Sequence, residues 1–375
     1  FFRGSRGWIT LLPNPEIFME IPKTERGSGL FVQPVHFDHI VSSGSTLLDL
    51  AVSGSRASEG GIPAGTVMEI FGQASSGKTA ILSSIAAQAQ SKGGSVLFAD
   101  PEGRLDKEYA RIYGMNIKAE NYAQPDFVTD LLKMIWEFKS SENSTDVFIA
   151  DSIAALSTKM EMDSDEGDKM GGKKAKDLHQ LMRKTCRKIA KSNLLVAFSN
   201  QLHDSMSAYG SRTRTPGGHA IPFYASLRLE IKVIRMIEEE LSVDRAILGS
   251  IREAVVLTGS DKKSAAKKIS KITGVEAVVR IVKSTVDDPF RTAPVRILFG
   301  YGIDDVGANL QWLKTIAGLS KYLAVDKEFI RYQSAINYIE EMSYEKKLRE
   351  QVSYVWHGIE HDFRERSLRK PKQFL

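Results

Sequence analysis

The chain has 375 residues, 42% of them hydrophobic, with 51 lysines and arginines against 46 acids and a formal net charge of +5. That apolar content can bury the core of one large domain and a smaller one, and no unbroken apolar run approaches the length of a membrane span, which excludes a helical membrane protein. The single cysteine, Cys186, excludes a disulfide framework, and with no secretory signal pattern at the start a reducing, cytoplasmic location is expected.

Residues 1–40 carry Pro13, Pro15, Pro22 and Pro34 with scattered glycines and no helical period, which predicts an irregular or short-strand arm. From Val41 the text SSGSTLLDLAVSGS leads through a turn at Gly60, Gly61, Pro63 and Gly65 into a strand over Thr66 to Phe71 and a helix over Ala80 to Gln90. Next come a strand over Ser95 to Asp100, helices near Lys107 to Tyr113 and Phe127 to Lys139, and a strand over Asp146 to Asp151. A basic helix over Lys173 to Ser192 precedes two further strands, Leu194 to Ser199 and Ala225 to Val233. Around it lie two segments of loop chemistry, Ser157 to Gly172 and Asp204 to Gly218, of a length that in a compact domain is usually functional or disordered.

Residues 236–275 are charged and give no readable period, with a lysine-rich run from Lys262 to Lys271. Strands at Glu276 to Lys283 and Val295 to Phe299 follow, then helices at Tyr332 to Glu341 and Glu345 to Arg364. Strands alternating with helices predict an α/β fold with a mostly parallel central sheet flanked by helices, plus a small C-terminal α-rich domain. The expected division is an arm over 1–40, a core over 41–303 and a helical domain over 304–375.

Gly72, Gln73, Ala74, Ser75, Ser76, Gly77, Lys78 and Thr79 match the phosphate-binding pattern G-x-x-x-x-G-K-[ST] at every fixed position, between a strand and a helix as that loop requires. The glycines let successive N–H groups turn inward on phosphate oxygens at the positive end of a helix dipole. Lys78 is the expected partner of the β- and γ-phosphates, and the Thr79 hydroxyl of Mg²⁺. The alternative is a Gly/Ser-rich turn that binds nothing.

Three strand ends supply further chemistry. Asp151 closes the apolar VFIAD, where a carboxylate faces the crevice of an open α/β sheet and can hold magnesium directly or through water. Glu102 follows the neighbouring strand and can orient the water that attacks the γ-phosphate, or be a surface turn residue. Gln201 ends another strand at the head of a loop, where an amide can read the γ-phosphate and order that loop.

The basic helix carries Lys173, Lys174, Lys176, Arg183, Lys184, Arg187, Lys188 and Lys191 against one acid, Asp177, with Leu178, Leu181, Met182, Cys186 and Ile189 on one stripe. Its cationic face fits nucleic-acid phosphates or is simply solvated. His357, Glu360 and His361 spell the zinc-peptidase pattern H-x-x-E-H, but a helix so near the C-terminus leaves few residues for a third ligand, and exposed helical residues are expected instead.

From about Val41 to the C-terminal helices, the chain resembles the bacterial RecA recombinase family. The resemblance rests on SSGSTLLDLA, FGQASSGKTA, ADPEGRLDKEYAR, IADSIAALS, KMGG then LMRK, SNQ, PGGHAIPFYASLRLEI, and VKSTVDDPF then ILFGYGID, all in the family's order. It implies a DNA-dependent ATPase that forms a helical filament on single-stranded DNA, holds ATP and Mg²⁺ between subunits and pairs the strand with homologous duplex. It implies that Glu102 activates water, that Asp106 and Tyr109 contact adenine, and that Gln201 links the γ-phosphate to the second DNA loop. Residues 157–172 and 202–218 correspond to the two DNA loops. Met170, Lys176, Arg183, Gly217 and Gly218 correspond to positions near the primary strand, and Lys232 and Arg280 to the duplex-binding groove; Arg212 and Arg214 are further DNA-binding candidates. Phe223 corresponds to an aromatic at the subunit interface.

The departures imply a divergent member, phage- or plasmid-borne. The family's N-terminal amphipathic helix is not visible in 1–40, and its two inter-subunit lysines are represented by Lys283 and Thr285. His219 stands beside the two glycines, 238–275 is longer than the family's connection, and the chain ends in basic residues. Two other readings stay open: a RecA-fold DNA-binding or regulatory ATPase that assembles on DNA or on a host filament without strand exchange, and a hexameric helicase motor.

Overall fold

The computed structural model describes residues 36–157, 171–204, 213–214, 220–242 and 268–366, all within one compact unit. Its first half runs β1 (His36–Val41), α1 (Thr46–Ser53), β2 (Ile62–Ala64), β3 (Val67–Gly72), α2 (Lys78–Ser91), β4 (Val96–Ala99), α3 (Lys107–Ile112), β5 (Tyr122–Ala123), α4 (Val128–Glu137) and β6 (Asp146–Ala150). Then come α5 (Gly171–Ile189), β7 (Leu194–Gln201), β8 (His203–Asp204), β9 (Thr213–Arg214), α6 (Ala220–Tyr224), β10 (Leu227–Ser242), β11 (Lys268–Ser284), β12 (Thr292–Leu298) and β13 (Gly302–Ile303). The C-terminal part holds α7 (Asp305–Ile316), β14 (Tyr322–Ala324), β15 (Lys327–Phe329), α8 (Tyr332–Glu341) and α9 (Glu345–Glu365).

The main sheet has 9 strands in the order β13, β12, β11, β10, β3, β7, β6, β4, β5. From β10 to β5 all neighbours are parallel, and from β10 to β13 they are antiparallel. The parallel centre is written in runs without alternation, VMEIFG, DVFIA and LLVAFSNQ, because helices cover both of its faces. β12 instead alternates, burying Ala293, Val295 and Ile297 and leaving the residues between them more open.

Each face of the sheet has its own apolar core. On one, Ile70, Val279 and Ile297 meet Leu48, Ile81 and Ile85 of α1 and α2; on the other, Phe148 and Phe198 meet Leu131 of α4 with Leu178 and Met182 of α5. Each such buried side chain contributes about 1.5–3 kcal/mol over the exposed state.

The C-terminal helices extend the first of these cores, to which Leu310, Leu348, Val352 and Trp356 belong. At the end of α1, a Cβ on Gly54 would lie 2.7 Å from the Trp356 ring, so glycine there permits the close approach of α9. Arg291 ties the same contact: its guanidinium donates to Ser55 Oγ and Glu360 Oε2, both at 2.7 Å, and lies 5.1 Å from the Trp356 ring centroid. His357 Nε2 lies 2.9 Å from the Ser58 carbonyl, so both His357 and Glu360 of the H-x-x-E-H text hold α9 against the core.

The stretch at 236–275 is partly a continuation of the sheet. β10 runs on to Ser242 and β11 starts at Lys268, forming a two-stranded ribbon past the point where β12 stops pairing. Lys268 and Lys271 of the lysine-rich run fall in this ribbon, opposite Ser242 and Glu239, while Lys262, Lys263 and Lys267 lie outside the described residues. The region past Gly300 was expected to be helical, though α7 was not singled out there, and the β14–β15 hairpin was not expected.

Candidate nucleotide and DNA-binding site

Strand order decides which side chains meet. Because β3, β7, β6 and β4 are successive parallel neighbours, their carboxyl ends open onto one crevice, and the residues at or just beyond those ends are Lys78, Gln201, Asp151 and Glu102.

The loop from Gly72 to Thr79 joins β3 to α2 in the predicted order, with α2 starting at Lys78. Gly77 sits at φ +98°, where a Cβ would also come within 2.3 Å of Ile297 Cδ1, so this position requires glycine. Ser75 also has positive φ, +57°. Gln73, Ala74 and Ser75 are exposed at the mouth, while Ser76 is buried with a hydroxyl that has no partner among the described residues. The Lys78 ammonium donates to the carbonyls of Gly72 (3.2 Å) and Gln73 (2.7 Å). Burial lowers its pKa against the opposing pull of Asp151 and Glu102.

Thr79 Oγ1 donates to Asp151 Oδ2 at 2.6 Å, and Ser199 Oγ donates to Asp151 Oδ1. Burial holds the Asp151 carboxyl above the usual carboxylate range, although the two hydroxyls pull it down. A hydroxyl and a carboxylate in contact at the end of a phosphate loop are hard oxygen donors of the kind Mg²⁺ takes alongside substrate phosphates. With the Ser76 hydroxyl buried and unpartnered among the described residues, these residues fit a magnesium-bound nucleoside triphosphate.

Glu102 faces the same space. Its Oε1 accepts from Ser152 Oγ (2.7 Å) and Gln201 Nε2 (3.4 Å), and its Oε2 lies 3.3 Å from Arg104 Nη1. A cleft of about 250 Å³ lies beside these groups, with Thr79, Glu102, Arg104, Asp106, Tyr109 and Asp151 in its wall. Asp106 caps α3, accepting from the backbone N–H groups of Glu108 (2.8 Å) and Tyr109 (3.3 Å). The Tyr109 hydroxyl lies 2.7 Å from that of Tyr113. Both cleft residues therefore stand at the start of α3, at the cleft edge.

Residues 32–256 match the RecA N-terminal domain family. The chain belongs to the RecA family. Protein RecA of Lactococcus lactis subsp. cremoris (strain MG1363) is 37% identical over 272 residues, 72% of this chain and 62% of that protein. Protein RecA of Delftia acidovorans (strain DSM 14801 / SPH-1) is 34% identical over 294 residues, 76% of this chain and 70% of its own length. Protein RecA of Colwellia psychrerythraea (strain 34H / ATCC BAA-681) is 35% identical over 272 residues, covering 72% and 69%. The match thus spans 62% of the length of the Lactococcus relative.

Within one copy of this RecA-family chain, Lys283 is not brought to the phosphate loop. It pairs in register with Arg228, which in turn pairs with Glu69, so β10 separates it from β3 and it sits level with Glu69, below the loop. Lys283 Nζ donates to the carbonyls of Pro222 (2.9 Å) and Phe223 (2.8 Å) at the end of α6, and burial lowers its pKa. Thr285 is exposed, its N–H donating to the Ser226 carbonyl at 2.9 Å. Phe223 is exposed and packs against His179 and Tyr224.

Lys176 and Arg183 both stand exposed on α5, whose Leu178, Met182 and Ile189 are buried. Burial pushes the Cys186 thiol up to about 11. Lys188 is not free for a polyanion, since its ammonium reaches the carbonyls of Ile135, Trp136 and Phe138 at the end of α4. Lys232 and Arg280 lie on one face of the β10–β11 pair, opposite Val278 and Glu230, and Arg280 lies 6.0 Å from the Phe290 ring centroid. Arg214 is in β9, paired with His203; Met170, Arg212, Gly217 and Gly218 lie outside the described residues.

Sequence reasoning missed several members of this site. Glu69 is buried within β3, accepting from Asn200 Nδ2 (3.0 Å) and Arg228 Nε (2.6 Å) on the two flanking strands. A glutamate inside the apolar VMEIF was the available signal, since a buried carboxylate needs paired donors. Ser152 and Ser199 gave none, because serines beside strand ends are common.

Proposed function

We propose that the chain is a DNA-dependent ATPase that binds single-stranded DNA as a filament and promotes homologous pairing and strand exchange in the cytoplasm. Residues 41–303 are the ATPase and DNA-binding core in this reading, 304–375 a helical domain and 1–40 an arm. The observation that carries it is the contact of Thr79 with Asp151 beside Glu102, in a RecA-family chain with an intact phosphate loop.

Backbone N–H groups of Gly72 to Thr79 take the phosphates, and Lys78 leaves its two loop carbonyls to join them. Thr79 and Asp151 hold Mg²⁺, which supplies charge neutralisation for the β- and γ-phosphates. Glu102, kept in place by Ser152 and Gln201, accepts a proton from the attacking water. Gln201 touches Glu102 and also heads the loop at 202–218, so the state of the terminal phosphate reaches a DNA-facing segment. Asp106 and Tyr109 line the base end of the cleft. Met170, Lys176, Arg183, Arg212, Arg214, Gly217 and Gly218 serve the primary strand, and Lys232 and Arg280 the duplex. Lys283 acts on the nucleotide of a neighbouring copy.

Thr285 favours a second reading, assembly on DNA or on a host filament without strand exchange, because a hydroxyl cannot neutralise the charge that develops on a transferring phosphoryl group.

Steady-state ATP hydrolysis with and without single-stranded DNA tests the enzyme reading. The expected result is DNA-stimulated turnover, abolished with nucleotide binding in Lys78→Ala. Glu102→Gln should keep ATP-dependent DNA binding while turnover falls by about two to four orders of magnitude. Undiminished nucleotide affinity in Lys78→Ala would overturn the assignment.

A further inference from the structure

Arg104 is the one cationic side chain in the wall of the cleft, among the described residues, and it shares that wall with Asp100, Glu102, Asp106 and Asp151. All four carboxylates have donors from the protein. Asp100 accepts from the Leu105 N–H and the Tyr122 hydroxyl, both at 2.8 Å; Asp106 accepts from the start of α3; Asp151 accepts from Thr79 and Ser199. Glu102 is divided: its Oε1 is held by Ser152 and Gln201, and its Oε2, among the described residues, is met by Arg104 alone. Arg104 itself is 80% exposed, so the ion pair at 3.3 Å is screened by water and easily broken.

A nucleoside triphosphate entering the cleft brings its terminal phosphate to the carboxyl ends of β3 and β4, where this exposed guanidinium stands. Phosphate offers a planar, forked donor several anionic oxygens in place of one carboxylate oxygen, and the pairing is commonly bidentate. We propose that Arg104 changes partners when nucleotide binds, leaving Glu102 Oε2 for the terminal phosphate. One side chain then reads the third phosphate and uncovers the carboxylate oxygen that takes the proton of the attacking water. Its charge also remains beside the γ-phosphoryl oxygens, a cation supplied by the same chain at a site where Thr285 supplies none from a neighbour. The inference rests on the nucleotide reading above.

Binding of ADP and of a non-hydrolysable ATP analogue, with Mg²⁺, to the full chain and to Arg104→Ala, Arg104→Lys and Lys78→Ala separates the possibilities, together with turnover at saturating ATP. In Arg104→Ala, affinity for the ATP analogue should fall about tenfold while that for ADP stays within about twofold. Turnover at saturating ATP should fall by about ten- to hundredfold, and Arg104→Lys should recover part of both losses. Equal weakening of both nucleotides would make Arg104 a general source of positive potential and overturn the exchange. No change in either would leave it a solvated surface pair and overturn the exchange as well. If Lys78→Ala binds both nucleotides like the unmodified chain, the nucleotide reading fails and this inference with it. If only Lys78→Ala loses binding, the nucleotide reading stands and the exchange alone is wrong.

Discussion

Asp151 shows how a single residue carries opposed demands: it is held by two hydroxyls, lies beside Lys78, and is buried enough that its carboxyl is raised above the ordinary value of 3.8. Only the ionised form can serve Mg²⁺, and a raised pKa means that protons compete for it at higher pH than for an exposed aspartate. Magnesium-dependent nucleotide affinity should therefore decline on acidification while exposed aspartates are still ionised. Asp151→Asn should lower magnesium affinity by about ten- to hundredfold and make that decline shallower, leaving the part that protonation of the nucleotide's own terminal phosphate imposes near pH ~6. Titrating nucleotide binding from neutral pH downward, with Mg²⁺ and with a chelator, checks both; the same decline in the unmodified chain and in Asp151→Asn excludes Asp151 from the metal site. At this scale the sequence was legible where the chemistry is local. Gly72 to Thr79 is contiguous, and the reason Gly77 must be glycine is its own backbone. Glu69, Asn200 and Arg228 were not legible, since their contact exists only once β7, β3 and β10 are neighbours. Arg104 was hidden for a different reason, because a lone arginine in a turn carries no pattern.

Among the elements, α5 separates two uses of positive charge that look alike in the sequence. Its apolar stripe and cationic excess are visible from spacing, but Lys188 closes the end of α4, a helix that the sequence places far upstream. Burial lowers its pKa, as expected for an ammonium packed onto carbonyls with no carboxylate paired to it among the described residues. Lys188→Ala should therefore cost stability, about 1–3 kcal/mol for the carbonyls left without their charged donor, and leave the salt dependence of DNA binding as it was. Replacing Lys176 and Arg183 by glutamate should do the reverse, keeping the unfolding midpoint and flattening the salt slope by roughly 0.7 log units for each DNA phosphate no longer neutralised. Urea unfolding and DNA titrations at several salt concentrations distinguish them; an unchanged slope in the double variant would make that face merely solvated. The β10–β11 ribbon was illegible for a related reason. Glu238, Glu239 and Glu240 answer Ile272, Lys271 and Ser270 across the pair, a pattern with neither a helical period nor an apolar face to announce a strand.

For the molecule as a whole, the class of fold was legible in the alternation of strands with helices, whereas the order of strands in the sheet came from the structure. That order is what turns a phosphate loop, two carboxylates and an amide from separate segments into one crevice. C-terminal helices were foreseen at α8 and α9. Their place in the same apolar core as α1 was not, because the contact depends on Trp356 meeting Gly54 and on Arg291 bridging Ser55 and Glu360. Under the proposed function, nucleotide bound at this crevice drives copies of the chain to line up on single-stranded DNA. Electron microscopy with single-stranded DNA and a non-hydrolysable ATP analogue, alongside ADP and nucleotide-free controls, tests it most directly. Continuous helical filaments that form with the analogue and are absent from both controls are the predicted result. Discrete rings, or bare DNA under all conditions, would contradict it.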